Sequence, residues 1–415
     1  MSINNAGTAN NSELFLSGGT TFAGVLNFGS QNDTAGGEAV VVITNATFYI
    51  GSGGVNLSNV AGLLPVMFLD TGTLGAMADW SSAVNGDGVT SGWLLGVTGD
   101  TFTIQCADAN GVAHNITLSG SVGGLGNLAK TGGGTLTLGG INVWTGTTTV
   151  SAGTLALIGD GVSSGLISQT SDLEVDSPAQ VSLAGVTNDT LSIGDGNIGE
   201  GVQTVSGNGK IAGDLHIGTS GTLAPGTATP TFGNLTVTSN VVVDGAVSIK
   251  IDHTGSISND EVTAHSITID TGSTLTVTQT GTNDLVTGDT FKLFSVPSTG
   301  EFTTVNLPVQ NASGSITYVW TNKLAVNGTI VLLQGGTASA GPSTNRTTIT
   351  STFNGNSLQL SWPPDHLGWA LQTNSQDIAN PNDWHVVIGS TTVTNENITL
   401  NHSLTNVYFR LALPR

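Results

Sequence analysis

The chain has 415 residues and carries 28 Asp and Glu against 8 Lys and Arg, a formal net charge of −20. So few cations exclude a protein that neutralises a nucleic-acid backbone, and the single cysteine excludes both an intrachain disulfide and a cysteine-based metal cluster. Only 9% of the residues are charged, 38% are hydrophobic and 59 are glycine, a composition that favours a folded chain of strands joined by tight turns.

The first 71 residues contain no recognisable export signal. The segment 1–10 has no basic residue, and no apolar run of the length of a signal peptide follows it. No stretch of the chain approaches the roughly 18 consecutive apolar residues of a membrane-spanning helix, so no membrane span is predicted. Residues 1–71 are predicted to form an N-terminal β region that includes a cap and the first coils.

Short strand-like runs separated by glycine recur through residues 72–334. Leu118 and Leu138 are 20 residues apart, as are Ile217 and Val237. Each run alternates apolar residues with Thr, Ser or Asp, which is the pattern of a strand with one buried face. Such a short strand cannot bury its apolar face alone, but stacked coils cover one another. The pattern predicts an all-β fold, a right-handed parallel β-helix or β-solenoid with rungs of about 20 residues.

A set of antiparallel β-sandwiches is the alternative architecture. It predicts hairpin dipeptides at regular short spacing. The segment NGDG at 85–88 is the best signal of that kind, and a single signal favours the solenoid.

One segment of the solenoid region has a more specific pattern. Residues 128–157 read LAKTGGGTLTLGGINVWTGTTTVSAGTLAL, which closely resembles the autotransporter-associated β-strand repeat of bacterial surface proteins. The positions that match the repeat in order are Lys130, Thr131, Gly132, Asn142, Trp144, Thr145, Gly146 and Val150.

The resemblance extends more weakly over residues 72–415 and implies a secreted or surface-displayed β-helix passenger that serves as a stalk, adhesin or scaffold. Self-exporting members of the family end in a membrane β-barrel, for which the last 70 residues are too short. We therefore expect a passenger-type β-helix without a translocator barrel, located outside a bacterial cell or on its surface, with an open export route.

The composition changes near residue 335. Fifty-four of the 59 glycines precede residue 336, and the segment 335–345 reads GGTASAGPSTN, a predicted linker. Residues 346–415 contain six strand-like runs, from TITSTF to VYFRLAL, and are predicted to form a small C-terminal β-sandwich-like domain. Its Trp362, Trp369 and Trp384 are candidates for a glycan-stacking platform, and the alternative role of these tryptophans is that of a hydrophobic core.

Candidate chemistry is sparse. The run DLEVD places Asp172, Glu174 and Asp176 on one face of a strand, where they are a candidate Ca²⁺ site; a solvated outer face is the alternative, and no other cofactor is expected. The segments GDGNIG (194–199) and GVSSG (161–165) match a dinucleotide loop and a nucleophile elbow only superficially, because no helical pattern follows either.

The sequence therefore favours a non-enzymatic extracellular structural protein, either a surface stalk or a self-assembling filament subunit. Its expected partners are further copies stacked head to tail, glycans or other surface proteins, but not nucleic acid. A glycan-binding adhesin that uses the C-terminal tryptophans is the alternative. A polysaccharide-active β-helix enzyme ranks lower, because Lys210, Lys250, Lys292 and Lys323 are the sole Lys or Arg between residues 131 and 345.

Overall fold

The computed structural model describes residues 2–3, 12–29, 37–58, 62–158, 167, 169–186, 189–194, 203–227, 232–254, 256–336, 346–354, 357–363, 366, 368–399 and 406–413. The chain divides into two compact units, Met1–Gly336 and Thr337–Arg415. This division falls inside the segment predicted as a linker, of which residues 337–345 lie outside the described residues. Among the described residues, no helix has both the length and the apolar character needed to cross a membrane.

The first unit is built almost entirely of short strands. Those of its N-terminal part are β1 Ser2–Ile3, β2 Ser12–Ser17, β3 Thr20–Ala23, β4 Leu26–Phe28, β5 Gly37–Thr44, β6 Ala46–Ile50, β7 Val55–Leu57, β8 Leu63–Leu69, β9 Gly72–Ala76, β10 Trp80–Ser82, β11 Gly92–Leu95, β12 Thr101–Gln105, β13 Ile116–Leu118 and β14 Val122–Gly124. The middle part contains β15 Asn127–Thr131, β16 Thr135–Leu138, β17 Thr148–Val150, β18 Thr154–Ile158, β19 Asp172–Val175, β20 Gln180–Gly185, β21 Thr190–Ile193, β22 Gln203–Gly207, β23 Lys210–Ala212, β24 Asp214–Ile217 and β25 Gly221–Pro225. The last part contains β26 Asn234–Val237, β27 Asn240–Val243, β28 Ala246–Thr254, β29 Ser256–Asn259, β30 Glu261–Thr263, β31 Ser266–Ile269, β32 Thr274–Gln279, β33 Thr290–Lys292, β34 Ser298–Thr299, β35 Thr304–Asn306, β36 Val319–Lys323, helix α1 Leu324–Asn327 and β37 Thr329–Gln334.

These strands stack into parallel ladders that run along a β-solenoid of about ten turns. Among the described residues, the two longest sheets have the orders β1-β4-β7-β10-β13-β16-β18-β20-β23-β26-β30 and β3-β6-β9-β12-β15-β17-β19-β22-β25-β28-β32-β35, and β29 pairs antiparallel with β28. A third side is formed by β2-β5-β8-β11-β14 at one end and by β21-β24-β27-β31-β34 at the other. The coils between these two sheets have strands on two sides only.

Side-chain alternation explains why the coils stack. Leu136 in β16 is fully buried and lies in register between Ile116 of the preceding coil and Leu155 of the following coil. Each buried leucine or isoleucine stabilises the stack by about 1.5–3 kcal/mol through removal of apolar surface from water. The intervening residue, Thr137, faces outward beside Thr117, so one strand supplies both a core face and a polar face.

The length of a coil is less regular than the sequence predicts. Leu118 does pair with Leu138, 20 residues later. Ile217 pairs with Val243 rather than with Val237, so the rung of about 20 residues does not hold there. The difference arises at the corners, where extra residues can leave the ladder and return to it at a low entropic cost.

The last coil of the solenoid is closed by antiparallel structure. Strands β33, β37 and β36 form a three-stranded antiparallel sheet, and Phe291 of β33 is completely buried in the same core as the coils. An aromatic cluster fills this end: the Phe291 and Trp320 rings lie 6.0 Å apart, and the Phe294 and Phe302 rings 6.3 Å apart. This aromatic cap covers the apolar core that the next coil would otherwise bury.

The second unit consists of two small antiparallel sheets. Its elements are β38 Thr350–Asn354, β39 Ser357–Ser361, β40 Ala370–Asn374, β41 His385–Val386, β42 Asn395–Thr399, β43 Tyr408–Ala412 and the 3₁₀ helices Pro381–Asp383 and Ser390–Thr392. The sheet orders are β38-β39-β42 and β41-β40-β43, and both sheets contribute to a core of Leu358, Leu360, Trp362 and Leu371. The predicted all-β fold, a β-solenoid followed by small antiparallel sheets, is confirmed; its right-handedness stays a prediction.

Candidate functional site

The passenger-like segment contains a buried lysine. Lys130 lies on the inward face of β15 and has no exposed surface. Its ammonium Nζ donates to the carbonyl oxygens of Thr131 at 3.2 Å and of Gly132, Gly134 and Ala152 at 2.7 Å each. The lysine therefore joins the corner after its own strand to the corner of the following coil.

The charge of Lys130 is held by backbone dipoles. Burial lowers the pKa of the Lys130 ammonium below its ordinary value, while the four carbonyl oxygens accept hydrogen bonds only from donors that the ammonium supplies. Burial also raises the pKa of the nearby Cys106 thiol to about 11, so this thiol is protonated at neutral pH and behaves as a core residue. The arrangement is a structural clamp.

Two further residues of the same segment, Asn142 and Trp144, are buried on the side of the coil that has no strand. The Asn142 amide accepts from the Val122 N–H at 3.2 Å and donates to the Gly140 carbonyl at 3.0 Å. The Trp144 indole N–H donates to the Thr148 hydroxyl at 3.0 Å. These side chains satisfy backbone groups and fill the core where a third strand would otherwise lie.

The three carboxylates of the candidate Ca²⁺ site lie on and just after β19. Asp172 and Glu174 face outward, while Leu173 and Val175 are completely buried. The Ser206 hydroxyl of the next coil donates to Asp172 at 3.1 Å. Burial raises the carboxyl pKa of Asp172; for Glu174, burial and then its two acidic neighbours raise it.

The structure does not bring these carboxylates into one ligand set. Among the residues it describes, no group of three His, Cys, Asp or Glu side chains could hold a metal ion together. Side chains that alternate along an extended strand share a face but stay roughly 7 Å apart. Calcium binding by Asp172, Glu174 and Asp176 stays a prediction.

The three tryptophans of the second unit have different environments. Trp362 is 4% exposed and belongs to the core, so it cannot contribute to an exposed platform. Trp384 is half-buried, and the Arg410 guanidinium lies 4.1 Å from the centre of its ring. Trp369 is half-buried and contacts the His366 ring at 5.1 Å. Glycan binding by Trp369 and Trp384 stays a prediction.

A cavity of about 630 Å³ adjoins Trp369. It is lined by Arg346, Thr347, Thr348, Ile349, Trp369, Phe409, Arg410 and Leu411. Its volume lies within the range of about 300–1,000 Å³ that is usual for ligand sites. Sequence reasoning missed its arginines, because Arg410 is positioned by Gln372, whose Oε1 accepts from the Arg410 Nε at 2.7 Å across 38 positions of chain.

Sequence reasoning also missed a polar ladder on the outer surface of the solenoid. His216 Nε2 lies 2.9 Å from Asp244 Oδ2, and a hydrogen bond to Asp244 raises the pKa of Asp270 on the next coil. The three residues are 28 and 26 positions apart, so no local motif indicates them. Residues 161–165 and 195–199, which carry most of the two nucleotide- and nucleophile-like motifs, lie outside the described residues.

A stacked β-solenoid whose buried lysine and tryptophan follow a repeat motif is the architecture of passenger segments. Residues 128–157 match the family described as Passenger-associated-transport-repeat. A stretch of 237 residues, 52% of this chain, is 29% identical to the Adhesin BmaC autotransporter of Brucella suis biovar 1 (strain 1330) and covers 7% of that protein. The recognition of an autotransporter passenger repeat is thus confirmed, and these similarities indicate a cell-surface or extracellular protein.

Proposed function

We propose that the chain is a non-enzymatic surface stalk, a β-solenoid that displays its small C-terminal unit outside the cell. The observation that carries the proposal is the continuous in-register ladder, in which successive coils share one apolar core from Phe28 to Leu332. Stability in such a stack is approximately the sum of coil and interface terms, so it can be extended without a new core. The similarity to an autotransporter adhesin supports an extracellular role.

The aromatic cap favours a stalk over a head-to-tail filament. Head-to-tail growth needs an open strand edge at both ends of the subunit. At one end the antiparallel sheet β33-β37-β36 closes the core, with Phe291 and Phe294 buried beneath it. A second copy would have to displace this sheet before its first coil could pair with β34 or β35.

Electron microscopy and sedimentation of the purified chain test the proposal. Eleven strands in one ladder, each about 4.8 Å from the next, make a solenoid about 50 Å long. We expect discrete particles with a segment of this length at every protein concentration. Fibres that lengthen with concentration would contradict the stalk and support the filament.

Adhesion through the second unit is a second candidate function. It is supported by the cavity beside Trp369 and by the similarity to an adhesin. We expect the purified chain to bind intact cells or matrix, and Trp369→Ala to weaken this binding while Trp362→Phe, a conservative core change, leaves it unaltered. Equal binding by both variants would remove the cavity from any adhesive role.

A further inference from the structure

The sheet β41-β40-β43 of the second unit has an unpaired edge. Strand β43, Tyr408–Ala412, pairs antiparallel with β40 on one side, and among the residues that the structure describes no strand pairs with its other side. An unpaired edge presents backbone donors and acceptors that can pair with a further strand.

Pairing inside the sheet identifies which backbone groups are free. The Val387 amide donates to the Leu371 carbonyl at 2.9 Å, so the backbone groups of Leu371 face β41. Successive residues of a strand point their backbone groups alternately to the two sides, so those of Gln372 face β43. Gln372 lies opposite Arg410. The backbone groups of Arg410 therefore face β40, and those of the residues on either side of it point away from the sheet.

These two residues, Phe409 and Leu411, line the cavity of about 630 Å³. Their side chains pack against the core of the unit, and Ile349 and Trp369 add apolar surface to the cavity wall. The cavity thus combines four outward backbone groups with an apolar wall. Extended polypeptide matches this combination better than a sugar does, because its own N–H and C=O groups repeat with the spacing of the free edge.

The charge of the cavity selects the partner. Arg346 and Arg410 line it, and they are two of the three arginines in a chain of net charge −20. Arg410 is held in place by its hydrogen bond to Gln372 and by the Trp384 ring, both of which leave the guanidinium charge intact. Such a preorganised guanidinium pairs well with a carboxylate.

We propose that the free edge of β43 binds an extended acidic segment of a partner protein as the fourth strand of this sheet. Directly opposite residues of paired strands share a face of the sheet. The incoming strand therefore carries an Asp or Glu opposite Arg410 and apolar residues opposite Phe409 and Leu411. This binding does not depend on the stalk function, and it gives the adhesion candidate a ligand class.

Synthetic peptides and the full chain test the proposal. One peptide of about nine residues has valine–glutamate–valine at its centre, and matched peptides replace the glutamate by lysine or the second valine by proline. We expect the glutamate peptide to slow hydrogen exchange at the Phe409 and Leu411 amides by at least about tenfold at saturation. The lysine and proline peptides should bind at least about tenfold more weakly.

Single substitutions localise the effect. Arg410→Gln and Arg346→Gln should each weaken binding of the glutamate peptide about tenfold. Lys323→Gln removes one positive charge from the other unit and should leave binding unchanged. Tryptophan fluorescence checks that each variant stays folded, and the Arg346 variant keeps the test valid if the Arg410 variant unfolds.

Three results would overturn the proposal. The Phe409 and Leu411 amides could exchange at the same rate with and without the glutamate peptide. They could be protected in its absence, which would mean that residues of the chain itself occupy the edge. Oligouronides could bind the cavity while the peptides do not, and the ligand would then be an acidic glycan. None of these results bears on the stalk, which the particle-length measurement tests separately.

Discussion

Replacement of Lys130 by methionine tests whether the lysine holds the passenger repeat together. Methionine keeps the length of the side chain but removes the ammonium that donates to four carbonyl oxygens, three of them at 2.7 Å. A buried polar group left without a partner costs about 1–3 kcal/mol, so three well-placed carbonyls lose roughly 3–9 kcal/mol together. Part of this is offset because a charged group no longer has to be desolvated. We expect a net local destabilisation of about 3 kcal/mol.

Hydrogen exchange along the coils measures this loss. Because coils contact only their neighbours, the destabilisation should concentrate in β15 and β18. A local loss of about 3 kcal/mol corresponds to roughly hundredfold faster exchange there. Lys210→Met is the matched control, since Lys210 is exposed on β23 of the same solenoid, and it should change the rates less than about threefold. Equal exchange rates in β15 for the two variants would refute the clamp.

Three further substitutions have defined outcomes. Glu174→Gln should raise the melting temperature slightly at pH 7, by about 0.5 kcal/mol of stability or less; the raised carboxyl pKa of Glu174 makes its charge unfavourable above that pKa, so the melting curves of variant and wild type should converge below the unfolded-state pKa of about 4.3, and a difference that persists there would be inconsistent with this cause. Excess calcium should raise the melting temperature of the wild type if Asp172 and Glu174 bind it, and an unchanged curve would end that prediction. Gly207→Ala should cost at least about 2 kcal/mol in urea unfolding, because its φ is +99° and an added Cβ would overlap the carbonyl of the preceding coil; Gly272→Ala, with a φ of +103° but open space around it, should cost clearly less, and equal losses would refute the steric argument. Leu371→Ala, at a fully buried position, should destabilise the second unit by about 2–4 kcal/mol, and tryptophan fluorescence during unfolding would detect an unexpected absence of change.

The solenoid could be predicted because its signal is local. Alternation along each run decides which face is buried, and glycine marks the corners, so the stacking of Leu118 on Leu138 follows from the sequence. The pairing of Ile217 with Val243 does not follow. Corner insertions of several residues cost little free energy, so spacing alone cannot identify which of two strands in the next coil lies opposite.

The aromatic cap and the cavity depend on contacts that no local pattern encodes. Trp362 and Trp369 are seven positions apart, yet one lies in the core and the other beside a cavity, since exposure depends on which sheet covers each ring. Arg410 acquires its position from Gln372 in a neighbouring strand. Lys130 was predicted as part of a repeat motif, but its role as a buried donor requires the carbonyl groups of the next coil, including that of Ala152.

Labelling of intact cells tests the central claim, a folded solenoid displayed at the cell surface, most directly. An amine-reactive reagent that cannot cross membranes is added to cells that produce the chain, and the modified lysines are located by mass spectrometry. We expect the exposed Lys210, Lys292 and Lys323 to be labelled on intact cells, and the fully buried Lys130 to react only after denaturation. Labelling that requires cell lysis would contradict surface display, and labelling of Lys130 together with the other lysines would contradict the fold on which the stalk depends.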